Sequence, residues 1–232
     1  MRGKLPATRK RTRAHDSDSE SESEAAADSK FNIRVLDNTV FFNEDVSRES
    51  IFRLNLTLRK LEKTILARSA CLAELLGAES DAAGKFAATT PIHLHVTTDG
   101  GLVDAAMSCV DCIKSLKVPV VTVVDGFVAS AGTLITLAGS RRIIQPNAKM
   151  LIHQLRTGAW GKHAEIVDHY ENCTRTMGTL IDFYVAHTKL KRKRLEKILQ
   201  RDVEWDAAEC LQNGLADEVA TPKGSAADED EA

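Results

Sequence analysis

The chain has 232 residues, enough for one large or two small domains, and 43% apolar against 28% charged residues is a balance that buries a sizeable core. With 31 basic and 33 acidic residues the net charge is −2, which excludes a whole-molecule electrostatic footprint for nucleic acid or a membrane surface. No apolar run reaches the roughly 18 residues of a bilayer span and no secretory apolar segment follows the basic start, so a soluble, cytoplasmic protein is expected.

Residues 1–14 carry Arg2, Lys4, Arg9, Lys10, Arg11 and Arg13 without an acid, and from Asp16 to Glu24 acids alternate with serine. Such a segment cannot offset its ordering entropy by burial, so residues 1–30 are expected to be a disordered charged tail. Phe31 to Phe42 reads as one or two short strands about a turn at Asp37-Asn38. Glu49 to Leu76 begins with Ile51, Leu54, Leu58, Leu61 and Ile65 at helical spacing, and the Gly- and Ala-rich stretch Gly77 to Thr90 reads as a loop. Ile92 to Val96 alternates as a strand, Val103 to Leu116 is an amphipathic helix, and Val118 to Val124 is a β-branched run suited to a strand buried on both faces. Ser130 to Ala138 reads as a buried helix, Met150 to Gln154 as a strand, Glu165 to His187 as a long helix and Lys191 to Gln200 as a shorter one. Strand and helix in alternation imply an α/β fold. Residues 223–232, with Asp228 to Glu231, form a second, acidic tail around a folded region of 31–222.

Three features fall at strand ends, where open α/β sheets place their sites. Gly100-Gly101 lets backbone approach another group closely, although an Asp-Gly turn is ordinarily only a turn. Ser130, among Ala129, Ala131 and Gly132 at a helix start, suits a tight nucleophile-bearing turn and equally an N-cap. His153 ends an apolar strand, where a base near neutrality would serve such a serine and a packed core imidazole is the plainer alternative. An imidazole base wants a carboxylate to set its tautomer, but Asp202 is one acid among many by chemistry alone.

Elsewhere the plainer readings win. The five cysteines are an odd, sparse set and read as reduced thiols, with Cys109 and Cys112 inside a helical core pattern. His93 and His95 share one face of a strand that is expected to be partly exposed, and Lys191 to Arg194 reads as a solvated helix start. The 165–187 helix carries Ile166, Val167, Tyr170, Met177, Leu180, Ile181 and Tyr184, more apolar surface than a protruding helix exposes in a monomer.

Taken in order, Gly100-Gly101, Ala129-Ser130-Ala131-Gly132, Pro146-Asn147-Ala148, Ile152-His153-Gln154, His187-Thr188, Arg201-Asp202 and Asn213-Gly214-Leu215-Ala216-Asp217 resemble the Clp protease proteolytic subunit family. The separations of 29 residues from Gly101 to Ser130 and 49 from His153 to Asp202 agree with it. The resemblance implies a ClpP/crotonase-like fold of repeated strand-helix units with a protruding handle helix. It further implies an ATP-dependent Clp-type serine endopeptidase acting on unfolded polypeptides or short peptides. By position, Ser130 would be the nucleophile, His153 the general base and Asp202 its orienting acid, with Gly101 and Ala131 forming the oxyanion hole. No metal or organic cofactor is implied; a homo-oligomeric double ring and an AAA+ unfoldase partner are. The sequence departs from the family at Thr98-Asp99 and at Leu155, where proline is usual in the first stretch and again after Gln154. It is also shorter between Gly139 and Pro146 and longer from Ala67 to Thr90. A catalytically silent ring subunit, a maturation protease and a crotonase-type acyl-CoA enzyme are the competing expectations.

Overall fold

The computed structural model describes residues 33–77 and 82–221; the expected tails at 1–30 and 223–232 lie outside the described residues. Strand β1 (Ile33–Leu36) turns at Asp37-Asn38 into β2 (Thr39–Asn43), and the two pair antiparallel. Ser47 then starts α1 (Arg48–Leu75): its hydroxyl accepts from the Ser50 N–H while the Ser50 hydroxyl accepts from the Ser47 N–H, which satisfies two orphan donors of the first turn. The helix buries Ile51, Leu54, Leu58, Leu61 and Ile65, the stripe that its sequence spacing marks.

The stretch expected to be a loop is in part helical. Helix α2 (Ala82–Ala88) packs on α1 and buries Ala87, because a run of alanine favours helix once an apolar surface is there to cover. Strand β3 (Ile92–Thr98) comes next, then α3 (Val103–Ser115), β4 (Val120–Ala129) and α4 (Ala131–Leu137). Residues between Gly139 and Pro146, read only as a turn, form β5 (Arg141–Ile144). The chain continues through β6 (Lys149–Leu151), α5 (His163–His187), α6 (Arg192–Ile198), β7 (Glu204–Trp205), α7 (Ala207–Asn213) and β8 (Glu218–Val219). The sheet runs β1-β2-β3-β4-β5-β8 with β2 through β8 parallel, the mixed α/β architecture that strand-helix alternation implies.

β4 is longer than its apolar run suggested and changes partners along its length. Its first half pairs with β5, from Val121 opposite Arg141 to Val124 opposite Ile144, and its last three residues pair with β6. Between the halves the register with β3 slips, from Val96↔Val124 to Thr98↔Val128, and Gly126 sits there at φ 78°. A bulge bends a strand and re-aims the residues beyond it, so the end of β4 is delivered beside β6. The core lies between the sheet and helices α1, α3 and α4; all seven residues of α4 are buried.

α5 buries Leu180, Phe183 and Tyr184 near its C-terminal end, while Ile166, Val167 and Tyr170 near the start are exposed and Trp160 just before it is fully so. The basic run starts α6, with Arg192 paired to Asp182 of α5. Cys109 and Cys112 are buried in α3, and burial raises both thiol pKa values. His93 and His95 are half-buried on one face of β3; the His95 ring lies 4.9 Å from that of Phe41 and its Nδ1 is 3.2 Å from Asp125. His93 is lowered from the usual histidine value by burial first and then by the neighbouring His95 and Arg141.

Arg142 closes the far edge of the sheet. Its side chain donates to the carbonyls of His187 (2.6 Å) and Gly214 (2.9 Å), and its Nε and backbone N–H both donate to Asp217 Oδ2. The Arg142 side-chain bond is the main cause holding the Asp217 carboxyl below its ordinary value of 3.8, against the opposing effect of burial. A depressed carboxyl contributes stability above its unfolded pKa and loses it as pH falls through the folded one. Asp217→Asn is expected to cost about 1 kcal/mol at pH 7, discounted for the partial exposure of the pair. In urea titrations at successive pH values the gap from wild type should close below about pH 4, the ordinary carboxylate range; a gap independent of pH contradicts this account.

Candidate active site

The end of β3 and the start of α3 are joined by Asp99, Gly100, Gly101 and Leu102, with Gly100 at φ 101° and Gly101 at φ 144°, backbone that L side chains rarely adopt. The turn is pressed between two neighbours. On one side the Val46 N–H donates to the Gly100 carbonyl (2.7 Å) and the Leu102 N–H donates to the Val46 carbonyl (2.7 Å), so that a Cβ on Gly101 would overlap that carbonyl oxygen. On the other, a Cβ on Gly100 would lie 2.7 Å from the Ser130 Cβ and 2.9 Å from the Ala129 carbonyl oxygen. The glycine pair is therefore a close approach of two backbones, not a surface turn.

Ser130 occupies the single residue between β4 and α4 at φ 53°, ψ −125°. Among the described residues only it and Asp37 are non-glycine residues with positive φ. Such backbone costs on the order of 1–3 kcal/mol and persists only where its surroundings over-determine it. Here the Ser130 N–H donates to the Leu151 carbonyl (2.8 Å), and its own carbonyl accepts from the N–H (3.0 Å) and the hydroxyl (2.7 Å) of Thr133. The Thr133 hydroxyl is in turn 2.6 Å from the buried Tyr184 hydroxyl, whose pKa burial pushes up to about 12, so the phenol stays neutral. Gly132 completes the clamp, since a Cβ there would overlap the Thr98 methyl. The N-cap alternative fails: the Ser130 side chain makes no capping hydrogen bond, nor any other among the described residues.

His153 lies two residues beyond β6, and Asp202 lies two before β7. These strands pair antiparallel with Leu151 opposite Glu204 and Met150 opposite Trp205, so the register continued outward sets His153 opposite Asp202. Their separation is 3.4 Å from Nδ1 to Oδ1, with the His153 side chain 17% and the Asp202 side chain 73% exposed. Gln154, next in the chain, donates its N–H to the Leu199 carbonyl just after α6 (2.7 Å), and the Leu155 N–H points at the Met177 sulfur on α5 (3.0 Å).

Gly101, Ser130, Ala131 and His153 line one cavity of about 280 Å³, with Leu134 and Leu155 among its apolar walls. The structure thus joins His153 to Asp202 and sets Ser130, His153 and the two expected amide donors around one space, without a hydrogen bond from Ser130 to His153. The N–H groups of Gly101 and Ala131 have no acceptor among the described residues. A hydroxyl, an imidazole backed by a carboxylate and two free amide donors can together attack a carbonyl, move a proton and hold the resulting oxyanion. Sequence reading missed Thr133 as a support of Ser130 and counted Tyr184 only as apolar surface; two hydroxyls 51 residues apart leave no local pattern to find.

Because the glycines are close approaches, Gly101→Ala is expected to destabilise the fold by more than about 2 kcal/mol, and Gly132→Ala likewise. Thermal denaturation checks this; a melting temperature unchanged in both variants contradicts the packing described.

The family model for Clp protease matches residues 65–223. ATP-dependent Clp protease proteolytic subunit 1 of Chlamydia muridarum is 35% identical over 133 residues, covering 56% of this chain and 69% of that protein. A mutant ClpP1 from Listeria monocytogenes superimposes with a TM-score of 0.64 at 23% identity, over 80% of this chain and 92% of that one, which establishes the likeness of fold. With the family match spanning α1 from Ile65 through β8 and so including both the serine turn and the His153 strand, the chain belongs to the Clp protease family.

Proposed function

We propose that the protein is a serine endopeptidase that hydrolyses peptide bonds in unfolded polypeptides or short peptides, with Ser130 as nucleophile, His153 as base and Asp202 as the acid that orients it. The observation that carries the reading is the strained Ser130 turn, wedged against Gly100 and facing the same cavity as His153.

In this mechanism Ser130 Oγ attacks the scissile carbonyl carbon as His153 Nε2 takes its proton. The His153 ring is held from its other side by Asp202 at Nδ1, which leaves Nε2 for the serine. The C=O π bond opens to an oxyanion that the N–H groups of Gly101 and Ala131 hold, each donor worth roughly 3–4 kcal/mol in systems where it has been removed. Protonated His153 then gives its proton to the leaving amine as the C–N bond breaks. Water, activated by the same imidazole, releases the acyl group and restores Ser130. These steps require a rotation of the Ser130 or His153 side chain to bring the two within hydrogen-bond reach, since catalytic hydrogen bonds commonly tighten only in the substrate complex.

The chemistry itself consumes no ATP. An ATP requirement would enter through an AAA+ unfoldase that feeds extended chain to the site, and that partnership is part of the proposal. So is a homo-oligomeric double ring, supported by the exposed apolar start of α5, where Ile166, Val167, Tyr170 and the fully exposed Trp160 offer a surface for a second copy. Enclosure inside rings would then select substrates by access. A cytoplasmic setting suits the odd, sparse cysteines.

A second reading, a catalytically silent ring subunit, is favoured by one observation: no hydrogen bond joins Ser130 to His153, and Asp202 is largely exposed. Cleavage of a fluorogenic peptide and labelling by a fluorophosphonate decide between them. Ser130→Ala is expected to reduce turnover on the order of 10⁴-fold or more and to abolish labelling; labelling that survives the substitution sinks the serine assignment, and an unlabelled, inactive wild-type ring supports the silent subunit. Tyr170→Asp is expected to halve the particle mass in solution by separating stacked rings, with the single ring retained; an unchanged mass removes α5 from the ring contact.

A further inference from the structure

The extended segment from α1 to β3 builds a second cavity, of about 440 Å³, that shares no lining residue with the one at Ser130. It lies between the C-terminal half of α1, helix α2 and the Asp37-Asn38 turn, with Leu61, Ile65, Leu72 and Phe86 as apolar walls. Its volume is that of a small-molecule site.

Ser69 lines this cavity and is only 6% exposed, yet its hydroxyl has no hydrogen-bond partner among the described residues. Hydroxyls on the same and other helices normally find the carbonyl four residues back, as Thr64 does at Lys60 (3.1 Å) and Thr174 at Tyr170 (2.9 Å). A buried hydroxyl left without a partner is costly unless a group in the cavity answers it. Two further groups line the same space: the Arg68 guanidinium and the Asp37 carboxylate, of opposite charge. Neither forms an ion pair or a side-chain hydrogen bond among the described residues, so they do not neutralise each other across the opening.

Apolar walls, one buried unanswered hydroxyl and two opposite charges held apart describe the complement of a small apolar zwitterion. We propose that this cavity binds a short apolar peptide with free ends. Its α-carboxylate pairs with Arg68, its α-ammonium with Asp37, its side chains cover Leu61, Ile65, Leu72 and Phe86, and its amide hydrogen-bonds the Ser69 hydroxyl. The site does not depend on Ser130 acting as a nucleophile. If the chain does cleave polypeptide, such peptides are among its products.

The test uses the full chain and a leucyl-leucine dipeptide carrying a diazirine in one side chain, with cross-links mapped by mass spectrometry and affinity measured by calorimetry with unmodified leucyl-leucine. Saturable labelling of the Leu61 to Leu72 segment or of α2 is expected, with affinity reduced about tenfold or more by Arg68→Ala and by Ser69→Leu, which removes the hydroxyl and fills the cavity. The N-acetylated, C-amidated dipeptide, with the same apolar body and no charge, should likewise bind about tenfold more weakly. Arg68 is exposed, so its substitution leaves the fold intact and the prediction does not hang on Ser69→Leu. Labelling confined to the residues around Ser130, labelling that does not saturate, or equal affinity for the capped dipeptide overturns the proposal.

Discussion

Everything at the candidate site depends on one backbone constraint, the positive φ of Ser130. A serine in that conformation gains nothing locally, and the strain is sustained only because neighbours from four parts of the chain hold it: the Leu151 carbonyl, the Gly100 approach, the Thr98 methyl against Gly132, and Thr133 with Tyr184 behind it. The result is a side chain turned out of the strand into open space with no hydrogen bond of its own. An ordinary N-cap would have spent that hydroxyl on the first turn of α4. The absence of a capping bond is thus the physical difference between a structural serine and a reactive one.

The second constraint is the bulge in β4. Without the register slip at Gly126 the strand would continue alongside β5, and Ala129 would not meet Leu151. The slip turns the end of β4 onto β6, so that β6 both accepts the Ser130 N–H and carries His153 two residues later. β7 then brings the acid by simple antiparallel register. Three residues distant in sequence are thereby gathered by two short strand pairings, and the precision of the site is the precision of sheet register.

The surface divides into regions of different chemistry. The apolar start of α5 is suited to another copy of the chain, whereas the cavity under α2 is small, concave and flanked by opposite charges, which suits a compact ligand. Helix α2 itself shows how tertiary context decides: its alanines and Gly84 give a weak intrinsic preference, and packing on α1 makes them helical. The same packing creates the second cavity, so a segment that reads as connection contributes a wall.

What the sequence determined by itself was whatever periodicity and turn chemistry encode within a few residues: the apolar stripe of α1, the alternation of β3, the buried run of β4, the glycines at 100, 101 and 132, and the serine among small neighbours. The ordered motifs added the family likeness. The tertiary structure alone decided that Ser130 is strained and uncapped, that Asp202 is the acid facing His153, that β5 exists where a turn was read, and that Thr133 and Tyr184 buttress the site. The reason is physical: a φ angle, a strand register and a contact between residues 51 apart are set by packing across the whole chain, and no window of local sequence contains the partners that impose them.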